Sequence, residues 1–358
     1  MSRPRSQSWL RLVDEPRPSD FLPARVPPAI WAVGAVLLAL TALGGFLIGP
    51  AGISPASALA ALTDRLPGLS IPSGLTNQQN SILFSIRAPR IVLGALVGAT
   101  LALCGGAYQG VFRNPLADPY LLGAAAGAGL GATVAIVITD GRAWVAPSAF
   151  VGALVAVYLA YLVGRRSEDR SSASLLLAGI AVAAFFTAAQ TFVLQRNYTS
   201  LQEVYSFILG QLGTGGWGEV RLMFPYAALA ATVIVAHRRV LDVLLVGDEE
   251  AASLGVDATR VRRRMVIAAS LGTAAAVSVS GLIGFVGVIV PHIIRLMAGW
   301  SYRVIVPLSM VFGAAFMIAA DLVGRTVLSP AELPIGVVTA FFGAPFFLIV
   351  LRNSRRPL

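Results

Sequence analysis

Long, unbroken apolar runs restrict the fold of this chain more than any other feature. A helix needs about 20 consecutive apolar residues to cross the hydrocarbon core of a bilayer. Ten such runs are predicted as spans, at 29–49, 91–111, 119–139, 144–164, 173–194, 222–237, 263–281, 284–299, 304–324 and 335–351. Strands of a membrane β-barrel would instead alternate in pieces of about 10 residues. The pattern predicts an all-α polytopic membrane protein with about ten transmembrane helices.

Charge is scarce and unevenly placed. Charged residues make up 12% of the chain, about half the share found in a soluble domain. All 27 basic residues are arginines, and 20 of them fall on one side of the ten-span arrangement. Because arginine-rich loops remain in the cytoplasm, we predict that both termini are cytoplasmic. The same rule explains the basic surplus without nucleic-acid binding.

Three segments follow from this arrangement. Residues 1–28 hold five arginines ahead of the first apolar run, with no clear signal-peptidase site after that run. We interpret them as a cytoplasmic tail. Residues 29–352 are predicted to form the transmembrane domain, and residues 353–358 a short cytoplasmic tail.

Glycine and alanine recur at helix-face spacing in two segments, 94–110 and 123–132. Small residues let helix backbones approach closely in lipid, so we predict close helix packing there, with a lined pathway for a large solute as the alternative. Pro291, Pro307 and Pro345 interrupt later apolar runs. Such prolines survive in a membrane where neighbouring groups satisfy the freed carbonyls.

A short charged segment, GDEEAASLGVDATRVRRR (247–264), separates predicted spans six and seven. Asp248 is suited to cap a helix. The acids that follow it are stabilised by the positive N-terminal end of the helix dipole. Gly255 is suited to end that helix. A helix of about seven residues is unstable alone in water, so it must dock on its own protein or on a partner. An ordinary solvated loop is the alternative.

The arginines at 260 and 262–264 lie in the first turns of span seven, which Asp257 is placed to cap. The helix dipole disfavours each cation there by about 0.3–1 kcal/mol. Attraction to the anionic inner leaflet, about 1 kcal/mol per arginine, is enough to outweigh that cost. The segment is therefore predicted to lie on the cytoplasmic membrane surface.

The sequence offers few residues for a disulfide, a metal site, catalysis or proton coupling. Cys104 is the only cysteine, which excludes an internal disulfide and a cysteine-based metal site. The acids Asp118, Asp321 and Glu332 fall at predicted helix ends and not in catalytic pairs, which disfavours an intramembrane enzyme. A proton-coupled transporter would need acids near the midplane, and none is found. His292 is interpreted as structural, with a haem ligand or proton relay as the alternative.

Three longer motifs carry a resemblance. Segment 87–132 contains Arg-Ala-Pro-Arg and Asn-Pro-Leu-Ala-Asp-Pro, and segments 281–297 and 321–351 contain long glycine- and proline-marked patterns. In this order they resemble the FecCD family of bacterial ABC-transporter permeases, which import vitamin B12, haem and ferric siderophores. The likeness runs from about 86 to 352. It implies a type II ABC importer permease architecture and a homodimer in the plasma membrane.

The resemblance further implies that residues 248–256 form a coupling helix, which docks in a groove of a separate ATPase subunit. Its candidate contact residues are Asp248, Glu249, Glu250, Ala251, Ala252, Leu254 and Gly255. The chain has no G-x-x-x-x-G-K-[ST] phosphate loop. ATP and Mg are therefore expected on two partner ATPase subunits, and this chain is expected to be a transport subunit without catalytic, cofactor or metal sites.

On the outer face, the resemblance implies that Arg87, Arg90 and Arg325 meet acidic residues of an extracytoplasmic substrate-binding protein. Exposed opposite charges steer an encounter more than they add affinity. Two alternatives remain: Arg87 and Arg90 snorkel at the interface, or Arg325 pairs with Asp321 one turn earlier. The expected cargo is an iron chelate, either haem or a ferric siderophore, with cobalamin as the alternative.

Overall fold

A computed structural model describes residues 28–65, 72–139, 142–165, 172–212 and 216–353, which form helices joined by turns. The helices are α1 Pro28–Leu47, α2 Pro55–Thr63, α3 Asn77–Ser81, α4 Ala88–Phe112, α5 Ala124–Ile138, α6 Val145–Arg165, α7 Ser172–Arg196, α8 Leu201–Ile208, α9 Trp217–Val246, α10 Asp248–Ser253, α11 Ala258–Ser280, α12 Val286–Ala298, α13 Tyr302–Thr326 and α14 Ile335–Asn353. A π-helical stretch, Ile82–Arg87, joins α3 to α4. The tails predicted at 1–28 and 353–358 lie outside the described residues, except for their innermost positions.

The all-α prediction is confirmed, and each predicted span coincides with one helix of the described chain. Among the described residues, five stretches are long and apolar enough to cross a membrane, namely Pro28–Leu47, Asn77–Phe112, Val145–Gly164, Ser174–Arg196 and Tyr302–Thr326. Helix α9 differs most from its predicted bounds, 222–237, because it continues through polar turns at both ends. The apolar pattern does not predict the short helices α2, α3 and α8.

Helix α4 forms the centre of the bundle and packs against α9, α11, α12 and α13. Its glycines allow direct backbone contact. A Cβ added to Gly98 would lie 2.2 Å from the carbonyl oxygen of Gly313 in α13, and one added to Gly105 would lie 2.0 Å from that of Gly287 in α12. The close packing predicted for 94–110 is therefore confirmed.

Helices α5 and α6 form a second close pair. A Cβ on Gly127 of α5 would lie 2.2 Å from the carbonyl oxygen of Gly152 in α6, which confirms the same prediction for 123–132. Helix α5 begins later than its predicted span, because Asp118 closes a turn by accepting a hydrogen bond from the Tyr120 amide at 2.8 Å. Irregular backbone is tolerated in a membrane bundle where protein buries it.

The bundle has two polar ends. The α10 end holds α10, the turn that follows α4 at Arg113, and the start of α13 at Tyr302. The opposite end holds the start of α4 and the loop 327–334 between α13 and α14. The candidate site residues fall at these two ends.

Candidate functional site

Helix α10 begins and ends at glycines. Gly247 occupies the N-cap position and provides no side chain to cap it. Asp248 is the first helical residue, so its predicted role as N-cap is wrong. Gly255 adopts φ +77°, and its amide donates to the Ala252 carbonyl at 2.9 Å while the next amide, that of residue 256, donates to the Ala251 carbonyl at 2.9 Å. This pair of bonds is a Schellman motif, so the prediction that Gly255 ends the helix is confirmed.

Asp248 is an ion-pair residue that joins three elements. Its Oδ2 accepts a hydrogen bond from Arg262 Nη1 of α11 at 2.8 Å. Its Oδ1 accepts another from Arg113 Nη2, at the end of α4. Partial burial opposes ionisation, but the hydrogen bonds and charges of Arg262 and Arg113 hold the pKa of Asp248 below its usual value. The carboxylate is therefore ionised and bound at neutral pH.

The remaining candidate residues of α10 divide between two faces. Ala251 is fully buried against the bundle. Glu249, Glu250 and Ala252 are exposed, and Leu254 is 69% exposed. An exposed leucine beside two carboxylates is available to a partner, whereas Ala251 fixes the helix to its own subunit.

Helix α11 begins as predicted. Asp257 Oδ1 accepts a hydrogen bond from the Arg260 amide at 2.9 Å, which confirms Asp257 as its N-cap. Arg263 and Arg264 are exposed, as a surface role requires. Arg262 differs, because it turns back to Asp248.

At the opposite end, Asp321 lies between two arginines. Its Oδ1 accepts a hydrogen bond from Arg90 Nε at 2.9 Å, and its Oδ2 lies 2.9 Å from Arg325 Nε. The guanidinium of Arg90 also forms two hydrogen bonds with Glu332. The structure thus brings Asp321 and Glu332 to one guanidinium, although the sequence suggested no relation between them.

The three arginines predicted to dock a partner are less accessible than expected. Arg87 and Arg325 are only 4% and 3% exposed. Arg87 Nη1 donates to the Phe46 carbonyl at 2.7 Å, and Arg325 lies against Asp321, the alternative considered from their spacing. Both side chains point into the α1 side of the bundle, which removes them from the surface. Arg90 is partly exposed, at 13% of its side chain, and Glu332 is the exposed member at 43%.

A second buried network near the α10 end was not anticipated. Arg295 of α12 is 5% exposed. Its Nη2 donates to Gln109 Oε1 of α4 and to the Tyr302 hydroxyl, the latter at 3.3 Å. Gln109 Nε2 in turn donates to the Gly287 carbonyl at 3.0 Å. The sequence signal for this network was the presence of Arg295 and Gln109 within apolar runs. Their pairing could not be predicted, because they lie 186 positions apart.

His292 fills space between helices. It is 5% exposed, and its ring meets that of Phe346 in α14 edge-on, with centroids 5.6 Å apart. Neither ring nitrogen has a hydrogen-bond partner within the described ranges. No group of three or more His, Cys, Asp or Glu side chains among the described residues is arranged to hold a metal ion.

Comparison with known proteins agrees with the motifs. The FecCD transport family model matches residues 36–353. A cobalamin import system permease of Halobacterium salinarum is 42% identical over 284 residues, covering 78% of this chain and 76% of the relative. An Fe(3+)-citrate import system permease of Bacillus subtilis is 34% identical, covering 91% and 95%. A solved metal-chelate type ABC transporter in an inward-facing conformation gives a TM-score of 0.80 at 28% identity, covering 91% of this chain and 100% of that one.

These matches cover most of the chain and confirm the resemblance inferred from its motifs. The helical arrangement is that of type II ABC importer permeases. Such permeases are not enzymes themselves, because ATP hydrolysis belongs to a separate subunit. The chain therefore belongs to the FecCD transport family and is the membrane permease subunit of an ABC importer.

Proposed function

We propose that this subunit forms a homodimer that imports an iron chelate, either haem or a ferric siderophore, across the plasma membrane. Helix α10 is the observation that carries the mechanism. It is a short helix with one face fixed by Ala251 and Asp248 and the other face open at Glu249 and Leu254. A surface element of this kind is what an ATPase partner needs in order to push on the bundle.

Each of the two polar ends of the bundle is assigned to a different partner. Two ABC ATPase subunits, which bind ATP and Mg, would dock on the α10 helices of the dimer. An extracytoplasmic binding protein would deliver cargo at the opposite end, near Arg90. The α10 end, with the exposed Arg263 and Arg264, would face the cytoplasm together with both termini, in agreement with the distribution of arginines.

The cargo class rests on the relatives. A ferric citrate permease and a metal-chelate type transporter support an iron chelate. Cobalamin is the second candidate, because a cobalamin import permease is 42% identical to this chain.

Reconstitution tests the proposal directly. The permease is placed in liposomes with its ATPase subunits and binding protein, and uptake of haemin, a ferric siderophore and cobalamin is measured with and without ATP. We expect ATP-dependent uptake of an iron chelate. Uptake of cobalamin alone would replace the cargo assignment. Uptake that continues without the ATPase subunits would contradict the mechanism itself.

A further inference from the structure

We propose that Arg113 is a positioning residue that transmits movement of α10 to α4, the central helix of the bundle. This inference rests on the proposed function of α10 as the element on which the ATPase acts. It assigns the next contact inward from that helix.

The side chain of Arg113 holds two elements at once. Its Nε donates a hydrogen bond to the Leu244 carbonyl at 2.7 Å, in the last turn of α9. Its Nη2 donates to Oδ1 of Asp248, the first residue of α10. One guanidinium therefore fixes the junction of α9 and α10 to the end of α4. Because the guanidinium is planar, the two bonds also fix the direction of approach.

The backbone of Arg113 places that side chain. Arg113 is the C-cap of α4, with φ 50° and ψ 35°, a left-handed conformation that costs energy for any residue with a Cβ. It is one of two such non-glycine residues in the described part of the chain, the other being Phe285. A conformation of this kind persists where the surrounding contacts hold it, and the bonds to Leu244 and Asp248 are such contacts.

Beyond Arg113, α4 has little freedom to absorb a displacement. Gln109, one turn earlier, donates to the Gly287 carbonyl of α12 at 3.0 Å. Further along, the backbones of α4 and α12 meet at Gly105. Packed interiors transmit strain because they lack compressible space. A push on α10 that reaches Arg113 would therefore move α4 as a rod and reach α12 with it.

Asp248 has a second partner in α11, a helix that meets α4 by packing and not through this ion pair. Arg262 belongs to α11, and it binds Asp248 at 2.8 Å and 2.5 Å. Helix α10 packs mainly on α9 and α11. The guanidinium of Arg113 is thus the direct polar link between α10 and α4 among the described residues.

The test compares cargo uptake with ATP hydrolysis on the same proteoliposomes, which contain the ATPase subunits and the binding protein. Arg113→Asn removes the guanidinium, while asparagine tolerates the left-handed backbone. We expect it to retain ATPase binding and hydrolysis and to lower uptake per ATP by about 2- to 30-fold, the range for residues that modulate coupling between sites. Arg239→Asn is the matched control, because it removes an exposed arginine of α9 that lies outside the 247–264 segment. It should leave both rates unchanged.

Arg113→Lys is the conservative variant. Lysine retains the charge opposite Asp248 but lacks the fork that also reaches Leu244, so uptake per ATP should be intermediate. If Arg113→Asn does not fold, Arg113→Lys alone tests whether Arg113 transmits movement of α10 to α4. Uptake per ATP equal to that of the unsubstituted chain, in whichever variant folds, would overturn the role of Arg113 and leave the proposed function standing. Failure of the unsubstituted chain to bind the ATPase subunits would instead refute the proposed function.

Discussion

Arg90 and Glu332 form a two-bond ion pair, with Nη1 to Oε1 at 3.1 Å and Nη2 to Oε2 at 2.8 Å. The pair joins the start of α4 to the loop between α13 and α14. The Glu332 carboxylate occupies the side of Arg90 that is most accessible from outside the bundle, since Asp321 lies on the buried side. An acidic group of a docking protein would have to compete with it for Arg90.

Replacing Glu332 with glutamine should therefore strengthen docking of the binding protein. Exposed ion pairs contribute about 0.2–1 kcal/mol, so Glu332→Gln is expected to tighten the Kd by up to about fivefold. The Kd is measured with permease in nanodiscs over a series of salt concentrations, and the gain should shrink as salt screens the charges. Glu249→Gln, which removes an exposed acid at the α10 end, is the control. An unchanged or weaker Kd would argue against Arg90 as a docking residue.

Asp321 should affect stability much more than Glu332. Its carboxylate is 2% exposed and faces Arg90 and Arg325. Removing one partner of a buried ion pair costs about 3–5 kcal/mol, because the other charge remains buried. We expect Asp321→Asn to lower the Tm of detergent-solubilised protein by several degrees, while Glu332→Gln leaves it nearly unchanged. A Tm for Asp321→Asn equal to that of the unsubstituted chain would show that the ion pairs of Asp321 do not stabilise the fold.

Local signals in the sequence predicted local structure well. The helix end at Gly255 and the cap at Asp257 each depend on residues a few positions apart, as does the pairing of Asp321 with Arg325, which the sequence offered only as the alternative to docking. The apolar runs likewise located the ten helices that match the predicted spans, five of which lie in stretches long and apolar enough to cross a bilayer.

Non-local relationships were out of reach. Asp248 was predicted to be an N-cap from its local position, because its partner Arg113 lies 135 positions away and could not be foreseen. Arg90 is likewise separated from Glu332 by 242 positions. The burial of Arg87 depends on α1, which places the Phe46 carbonyl within hydrogen-bonding distance. Such contacts require the helix arrangement, which apolar periodicity does not specify.

Acidification over the physiological range should not release α10 from the bundle. Arg262 and Arg113 lower the pKa of Asp248 in spite of its partial burial. A carboxylate with a depressed folded pKa contributes stability above its unfolded pKa, about 3.9, and loses it only as the pH falls through the folded value. The contribution of the Asp248 ion pairs to uptake per ATP should therefore stay constant between about pH 5.5 and pH 8. A fall within that range that Asp248→Asn abolishes would contradict this assignment.

Gly255 should matter for the ATPase interface through its backbone alone. Its φ is +77°, and an added Cβ would meet no atom within 4 Å. A left-handed conformation costs about 1–2 kcal/mol for a residue with a Cβ, so Gly255→Ala should weaken binding of the ATPase subunits by about 5- to 30-fold. Asparagine adopts this conformation more readily, and Gly255→Asn should lose less. Gly218→Ala is the control, because its Cβ also meets no neighbour and its backbone is helical. Equal affinity of all three variants for the ATPase subunits would show that the backbone conformation at Gly255 does not contribute to their binding.

Gly105 and Gly106 offer a matched pair within the central helix. A Cβ on Gly105 would lie 2.0 Å from the Gly287 carbonyl oxygen, whereas one on Gly106 would have its nearest neighbour at 3.8 Å. Overpacking costs about 1–3 kcal/mol, while alanine gains about 1 kcal/mol over glycine in a helix interior. We therefore expect Gly105→Ala to lower the Tm and Gly106→Ala to preserve or raise it. Cys104, the single cysteine of the chain, is fully buried, so a thiol-reactive fluorescent dye reports unfolding at that position. The reverse order of the two Tm values would show that α4 and α12 do not meet at Gly105.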